Sequence, residues 1–107
     1  MKRLSRRARA NQDIREAAAY YQDHAGDATA LRFADAVDTA IVQIATFPAS
    51  GSPRYAFEFG FAGVRAHLIR GFPYIVFYSE GSDEIEVLRV IQAERDLVAE
   101  LTDEDDR

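Results

Sequence analysis

The apolar residues of this chain change their period once, near Gly63, and that change limits the folds open to it. Before it, Phe33, Val37, Ala40, Ile41, Ile44 and Phe47 fall at i, i+4, i+7, i+8, i+11 and i+14, which is one face of a long helix. Asp27 suits its N-cap, and Pro48, Gly51 and Pro53 break the chain beyond its end. An earlier stripe of Ile14, Ala17, Ala18, Tyr21 and Ala25 predicts a first helix from an Asn11 cap. Asp13 and Glu16 then stand near its first turn, where the helix dipole favours acids. Gly26 ends it in a left-handed conformation. So short a connection makes the two helices an antiparallel hairpin. Ala17, Ala18, Ala34 and Ala40 allow them to approach closely.

After a loop from Pro48 to Gly63 the period becomes two. Val64 to Arg70 alternates, Gly71 and Pro73 punctuate, and Tyr74 to Tyr78 is apolar on both faces, as a central strand is. Ser79 to Asp83 reads as a turn and Glu84 to Ile91 as a further strand. Short connections between them predict a three-stranded antiparallel meander. One sheet face needs a cover, and the amphipathic hairpin is the element able to supply it. The expected class is therefore α+β, an N-terminal helical hairpin packed on the meander. Leu4 to Ala8 is short enough to add an N-terminal edge strand.

With 107 residues there is surface for one core. Cysteine is absent, no apolar run resembles a secretory leader or a membrane span, and a cytoplasmic protein is expected. The net charge of −5 is unevenly spread: residues 100–107 carry five acids and one base, whereas residues 1–15 carry six bases against Asp13. Residues 1–99 are expected to form the domain, and residues 100–107 a solvated, disordered acidic tail.

Catalytic signals are thin. Neither His24 nor His67 has a second ligand-type residue at a metal-binding spacing, and Gly60 to Gly63 fits no phosphate-loop pattern, so no metal and no cofactor is expected. The serines lack a nucleophile-elbow context. Arginines are the more informative residues. Arg65, Arg70 and Arg89 come from the strands and Arg95 follows them. Arg89 shares a strand face with Ile85, Val87 and Ile91, either as a snorkelling edge residue or as a fixed group for a carboxylate or phosphate. Glu94, Arg95 and Asp96 can equally be a charge cluster at a helix start. The pair Tyr20-Tyr21 and the loop aromatics Tyr55, Phe57, Phe59 and Phe61 read as core, or as a surface that a partner completes.

Three segments together resemble the RelE/ParE superfamily of type II toxin–antitoxin toxins, and its ParE branch in particular. The first is Leu31-Arg32-Phe33-Ala34-Asp35-Ala36-Val37 through Phe47-Pro48 and Gly51-Ser52-Pro53-Arg54. The second is Gly63-Val64-Arg65 running into Gly71-Phe72-Pro73-Tyr74-Ile75-Val76-Phe77-Tyr78, and the third is Ile85 to Ile91 followed by Arg95-Asp96-Leu97. The resemblance implies a toxin silenced by a cognate antitoxin, in a hetero-oligomer, with the antitoxin's C-terminal segment wrapped along its surface. ParE-like members poison DNA gyrase, whereas RelE-like members cut mRNA on the ribosome without metal, using basic residues and a terminal Tyr or His. Arg65 and Arg89 match two of those arginine positions, the catalytic candidates if the chain is an interferase. Gln92 stands where many relatives have His, and no Tyr or His follows Tyr78, which leaves that end without a general acid or base.

The expectation is thus a non-enzymatic gyrase inhibitor. Its alternatives are a ribosome-dependent mRNA endoribonuclease and a non-toxic antitoxin-binding relative. Arg65, Arg70, Arg89 and Arg95 are the candidate target contacts. On the hairpin, Ile14, Tyr21, Phe33, Val37 and Ile41 are the candidate antitoxin contacts, joined by Tyr55 and Phe57 from the loop.

Overall fold

The computed structural model describes residues 2–105, apart from the side chains of residues 57–59, 98 and 103–105. A strand, β1 (Arg3–Arg6), leads into the helices α1 (Ala8–Ala25) and α2 (Asp27–Thr46). A short 3-10 turn (Pro48–Ser50) and a helix α3 (Arg54–Phe59) follow. The chain then forms β2 (Val64–Leu68), β3 (Tyr74–Glu80), β4 (Glu84–Gln92) and a last helix, α4 (Leu97–Asp105). The hairpin and the meander are as the two periods require. Gly26 joins the helices at φ 91°, a conformation an L side chain rarely adopts.

Two helix starts differ from expectation. The first helix begins at Ala8, capped by the extended Arg7 rather than by Asn11, so Asp13 lies beyond its first turn. Gly26, not Asp27, is the N-cap of α2.

The N-terminal strand is present and changes the sheet. It pairs in parallel with β4, Arg3 opposite Glu84 and Arg6 opposite Val87, giving four strands in the order β1-β4-β3-β2. The sheet is mixed, and β4, expected at an edge, is interior. Short β1 arises because Arg7 donates its N–H to the Val87 carbonyl and the chain then turns directly into α1.

Both faces of the sheet are covered. Phe33, Val37, Ala40 and Ile44 of the hairpin pack against Val76, Tyr78, Val87 and Val90, the main core. On the reverse face Leu97 and Leu101 of α4, with Tyr55 and Phe61, cover Ile75, Phe77 and Ile91. The expected disordered tail is therefore corrected in its first part. Residues 100–105 continue α4, and Leu101 is 5% exposed in this second core. The loop read after Pro48 also holds α3, whose Tyr55 ring meets Phe77 edge-on at 5.3 Å. Apolar area drives both changes: two leucines at helical spacing can close a face that would otherwise stay wet.

The 3-10 turn is held from the sheet. Tyr78, fully buried, donates its hydroxyl to the Pro48 carbonyl at 2.6 Å and accepts the Gly51 N–H at 3.0 Å. Gly51 passes so close that a Cβ there would stand 2.8 Å from Tyr78 Cε1. Gly51→Ala is expected to destabilise the domain by about 1–3 kcal/mol, as overpacking does. Tyr78→Phe is expected to cost about 1–3 kcal/mol, because a buried N–H and carbonyl lose their partner. Urea denaturation of both variants against the parent checks this; a change under about 0.5 kcal/mol in each would contradict the packing described.

Candidate functional site

Because β1 ends at Arg6, the edge of β4 beyond Val87 has no strand beside it. There α1 crosses instead, and the Asp13 carboxylate takes the place of a neighbouring strand. Its Oδ2 accepts the Val90 N–H at 2.9 Å and the Arg89 Nε–H at 2.8 Å, while Oδ1 accepts Arg89 Nη2 at 3.1 Å. The guanidinium is 1% exposed. Its Nη1 donates to the Glu100 carbonyl at 2.8 Å and its Nη2 reaches Glu100 Oε1 at 3.3 Å. One arginine thus joins α1, β4 and α4.

Above this pair lies a cleft of about 320 Å³ between α1, the ends of β3 and β4, and α4. Tyr20, Tyr21 and Tyr74 line one part of it, and Gln92 and Arg95 another, with Glu16 and Glu100 among the further lining residues. The tyrosines are held by ring contacts. Tyr20 stacks on His24 at 4.2 Å and meets Tyr21 edge-on at 5.6 Å, and Tyr21 meets Tyr74 at 6.2 Å and Phe72 at 5.2 Å. Burial pushes the phenols of Tyr21 and Tyr74 above the ordinary tyrosine value; neighbouring phenols add to the rise at Tyr21, and at Tyr74 the Arg95 charge works against it. Both are therefore hydrogen-bond donors at neutral pH. Arg95 is 63% exposed and approaches Glu100 at 3.9 Å.

Of the four candidate arginines, the fold brings Arg89 and Arg95 to this cleft and leaves the other two elsewhere. Arg65 is tied to the 3-10 turn, its Nη1 donating to Gly51 O at 2.8 Å and Ala49 O at 3.2 Å. Arg70 lies in a separate surface hollow at the β2–β3 turn, beside Arg32 and Phe72. Arg89 is an internal residue rather than a surface contact. Among the hairpin candidates, Phe33 and Val37 are buried in the main core, and Ile14, Tyr21 and Ile41 are partly buried against it. Tyr55 belongs to the second core, and the side chain of Phe57 lies outside the described residues.

His67 is half-buried on β2, its Nε2 3.0 Å from Gln43 Oε1, and burial lowers its pKa from the usual 6.5. No group of three metal-ligating side chains occurs among the described residues. Sequence reasoning missed Asp13, Tyr74 and Glu100 as partners of this region. Asp13 did carry a signal: four residues before Ala17, it lies on the stripe that buries Ala10 and Ala17.

A buried ion pair of this kind is costly to halve. Asp13→Ala and Arg89→Ala are each expected to destabilise the domain by about 3–5 kcal/mol, because the remaining charge is buried without its partner. The double variant should cost less than the two single losses added together. Chemical denaturation of the four proteins gives the coupling; strictly additive losses would show that the pair does not act as a unit.

The comparisons agree with this architecture. A solved structure described as the chromosomal ParDE toxin–antitoxin system from P. aeruginosa superposes with a TM-score of 0.74 at 20% identity, covering 88% of this chain and 98% of the other. At that identity the likeness speaks for the fold. No curated protein matches the sequence. The family model described as the ParE toxin of type II toxin–antitoxin systems, parDE, matches residues 4–97. The chain belongs to the ParE toxin family, and is a toxin of the type II class.

Proposed function

We propose that this protein is a cytoplasmic, non-enzymatic toxin that inhibits DNA gyrase by binding it, and that a cognate antitoxin neutralises it in a hetero-oligomer. The family supports the toxin class, and the solved relative is described as a ParDE system, in which a toxin and an antitoxin occur together. The observation that carries the choice of mechanism is the fate of two arginines. An RNA-cleaving site of the RelE kind would draw on Arg65 and Arg89. Here Arg89 is enclosed by Asp13 and Glu100, and Arg65 is bound to backbone carbonyls of the turn before α3. Tyr78, the tyrosine nearest Arg65, is buried with its hydroxyl engaged by Pro48 and Gly51. Arg89 shares its cleft with three tyrosines, but its donors are taken by Asp13 and Glu100. Neither arginine is therefore free to act beside a phenol in the general acid–base catalysis that cleavage requires. Binding through a surface needs no such group.

Target contacts on this reading come from the arginines that stay accessible, Arg70 and Arg95, each able to grip a carboxylate in two hydrogen bonds. Replacing Arg95 by Lys keeps the charge but loses the planar fork. That variant is expected to lower toxicity several-fold without altering the fold.

Two assays, one on the purified chain and one after its expression in cells, decide between the mechanisms. Supercoiling by gyrase should fall in proportion to added toxin and recover on addition of the antitoxin encoded beside it. Primer extension on ribosome-bound transcripts after brief induction should show no new ends. Discrete cuts within codons, with supercoiling untouched, would replace the gyrase reading by the interferase.

A further inference from the structure

The hollow at the β2–β3 turn differs in charge from the cleft above Asp13 and Arg89. Arg32 of α2 and Arg70 of the turn both line it, against Asp35 as the single carboxylate. Both arginines are exposed. Among the described residues Arg70 makes no hydrogen bond or ion pair, and Arg32 donates once, from Nη2 to the Thr29 hydroxyl at 3.0 Å. Asp35 forms no ion pair there either, although it stands three residues from Arg32 on the helix. The hollow therefore carries one uncompensated positive charge and most of the donors of two guanidiniums.

Its frame is rigid. Ile69, 2% exposed, donates its N–H to the Tyr74 carbonyl at 3.0 Å, and Phe72 donates to the Ile69 carbonyl at 3.3 Å, which fixes the turn that carries Arg70. The Phe72 ring meets Tyr21 and Phe33 at 5.2 Å each. Tyr21, Ala36 and Phe72 line the hollow and also pack on the main core, so its apolar wall is an outer layer of that core.

Two guanidiniums around an apolar wall complement a single carboxylate with an apolar neighbour, each arginine offering a planar fork of donors. A run of phosphates is a poorer match, because α2 carries Asp27, Asp35 and Asp38 against Arg32 alone. An apolar wall continuous with the core also suits a lasting partner better than a transient one, since permanent interfaces are the more hydrophobic. A silencing antitoxin is a lasting partner.

We infer that the Arg32–Arg70 hollow is a docking subsite for one acidic side chain of the antitoxin and the apolar residue beside it. This rests on the antitoxin reading above and specifies where that partner is held and by what chemistry. Arg70 is also a proposed gyrase contact, so an antitoxin seated here covers a group that the toxin uses on its target.

Calorimetric titration of the full chain with the antitoxin encoded beside it tests this. Arg70→Gln should weaken binding about tenfold, the size of one lost charge-assisted contact, and Arg32→Gln about threefold, since Arg32 already spends a donor on Thr29. Arg70→Lys should recover only part of the loss, because an ammonium lacks the planar fork. Arg3→Gln makes the same charge change at the opposite end of the sheet and should leave binding within about twofold, beyond the reach of a screened charge. Of the antitoxin's acidic residues changed singly to amides, one should match the loss in Arg70→Gln and add little to it in combination. Circular dichroism melting of each variant separates a lost contact from a lost fold.

If the parent binds and neither Arg70→Gln nor Arg32→Gln weakens it, the subsite is wrong and the antitoxin reading survives. An equal loss in Arg3→Gln would reduce the effect to net charge and also overturn the subsite. Loss of gyrase inhibition in Arg70→Gln with antitoxin affinity unchanged would assign the hollow to the target alone. A single-stranded oligonucleotide that displaces the antitoxin through Arg70 would replace the peptide by a nucleic acid. If the parent does not bind the antitoxin, that reading falls and takes this inference with it.

Discussion

A single carboxylate, that of Asp13, performs two tasks that the fold cannot leave undone. It neutralises a guanidinium that is 1% exposed, and it accepts the N–H of Val90 at the point where β4 loses its parallel neighbour. Either group left alone would be costly, because an unpaired buried charge or backbone donor has nothing to replace its water. Together they form a small network in which all three nitrogens of the Arg89 guanidinium donate. Replacing both partners by apolar residues could match such a pair for stability. What it supplies here is position: α1 is fixed in register along β4, and α4 is fixed to both.

That position explains the brevity of β1. A longer first strand would continue the ladder past Val87 and leave Asp13 no edge to bind. The chain instead leaves the sheet at Arg7, turns into α1 without a side-chain cap, and returns its sixth helical residue to β4, the neighbour of the strand it has just left. The sheet edge is thus covered by a helix whose acid completes it, one of the ways in which proteins shield an open edge. The cleft follows from the same geometry, since α1 and α4 approach β4 from either side and meet at Arg89 rather than at a further strand.

Much of the architecture was legible because it depends on period. The helical hairpin follows from the spacing of Phe33, Val37 and Ile44, and the meander from the alternation of Val64 to Arg70 and the punctuated apolar run Tyr74 to Tyr78 after it. Boundaries were less so. Asn11 looks like a cap by residue type, yet the helix begins at Ala8 because the Arg7 N–H is already held by Val87. The acidic composition of residues 100–107 hid Leu101, whose burial depends on an apolar face assembled from Ile75, Phe77 and Ile91. For the site, Arg89 was visible as a charge on an apolar strand face, whereas Asp13 was read only as an acid near a helix start, although it lies on the stripe that buries Ala10 and Ala17. Their pairing across 76 residues was not visible, because the sequence carries no information on which strand lies beside α1 until the parallel pairing of β1 is known.

The network also bears on how the grip of any partner is transmitted through the domain. Arg95 and Arg89 both approach the same oxygen of Glu100, at 3.9 Å and 3.3 Å. The exposed arginine, 3.9 Å away, is the adjustable member of the network, and the buried one its fixed member. Any partner that binds this folded surface and not the open chain adds RT ln(1 + [L]/Kd) to its stability, about 2.7 kcal/mol at a hundredfold excess over Kd. Since the Asp13–Arg89–Glu100 bonds tie α1, β4 and α4 into one unit, that stabilisation is shared by all three elements rather than confined to the segment touched.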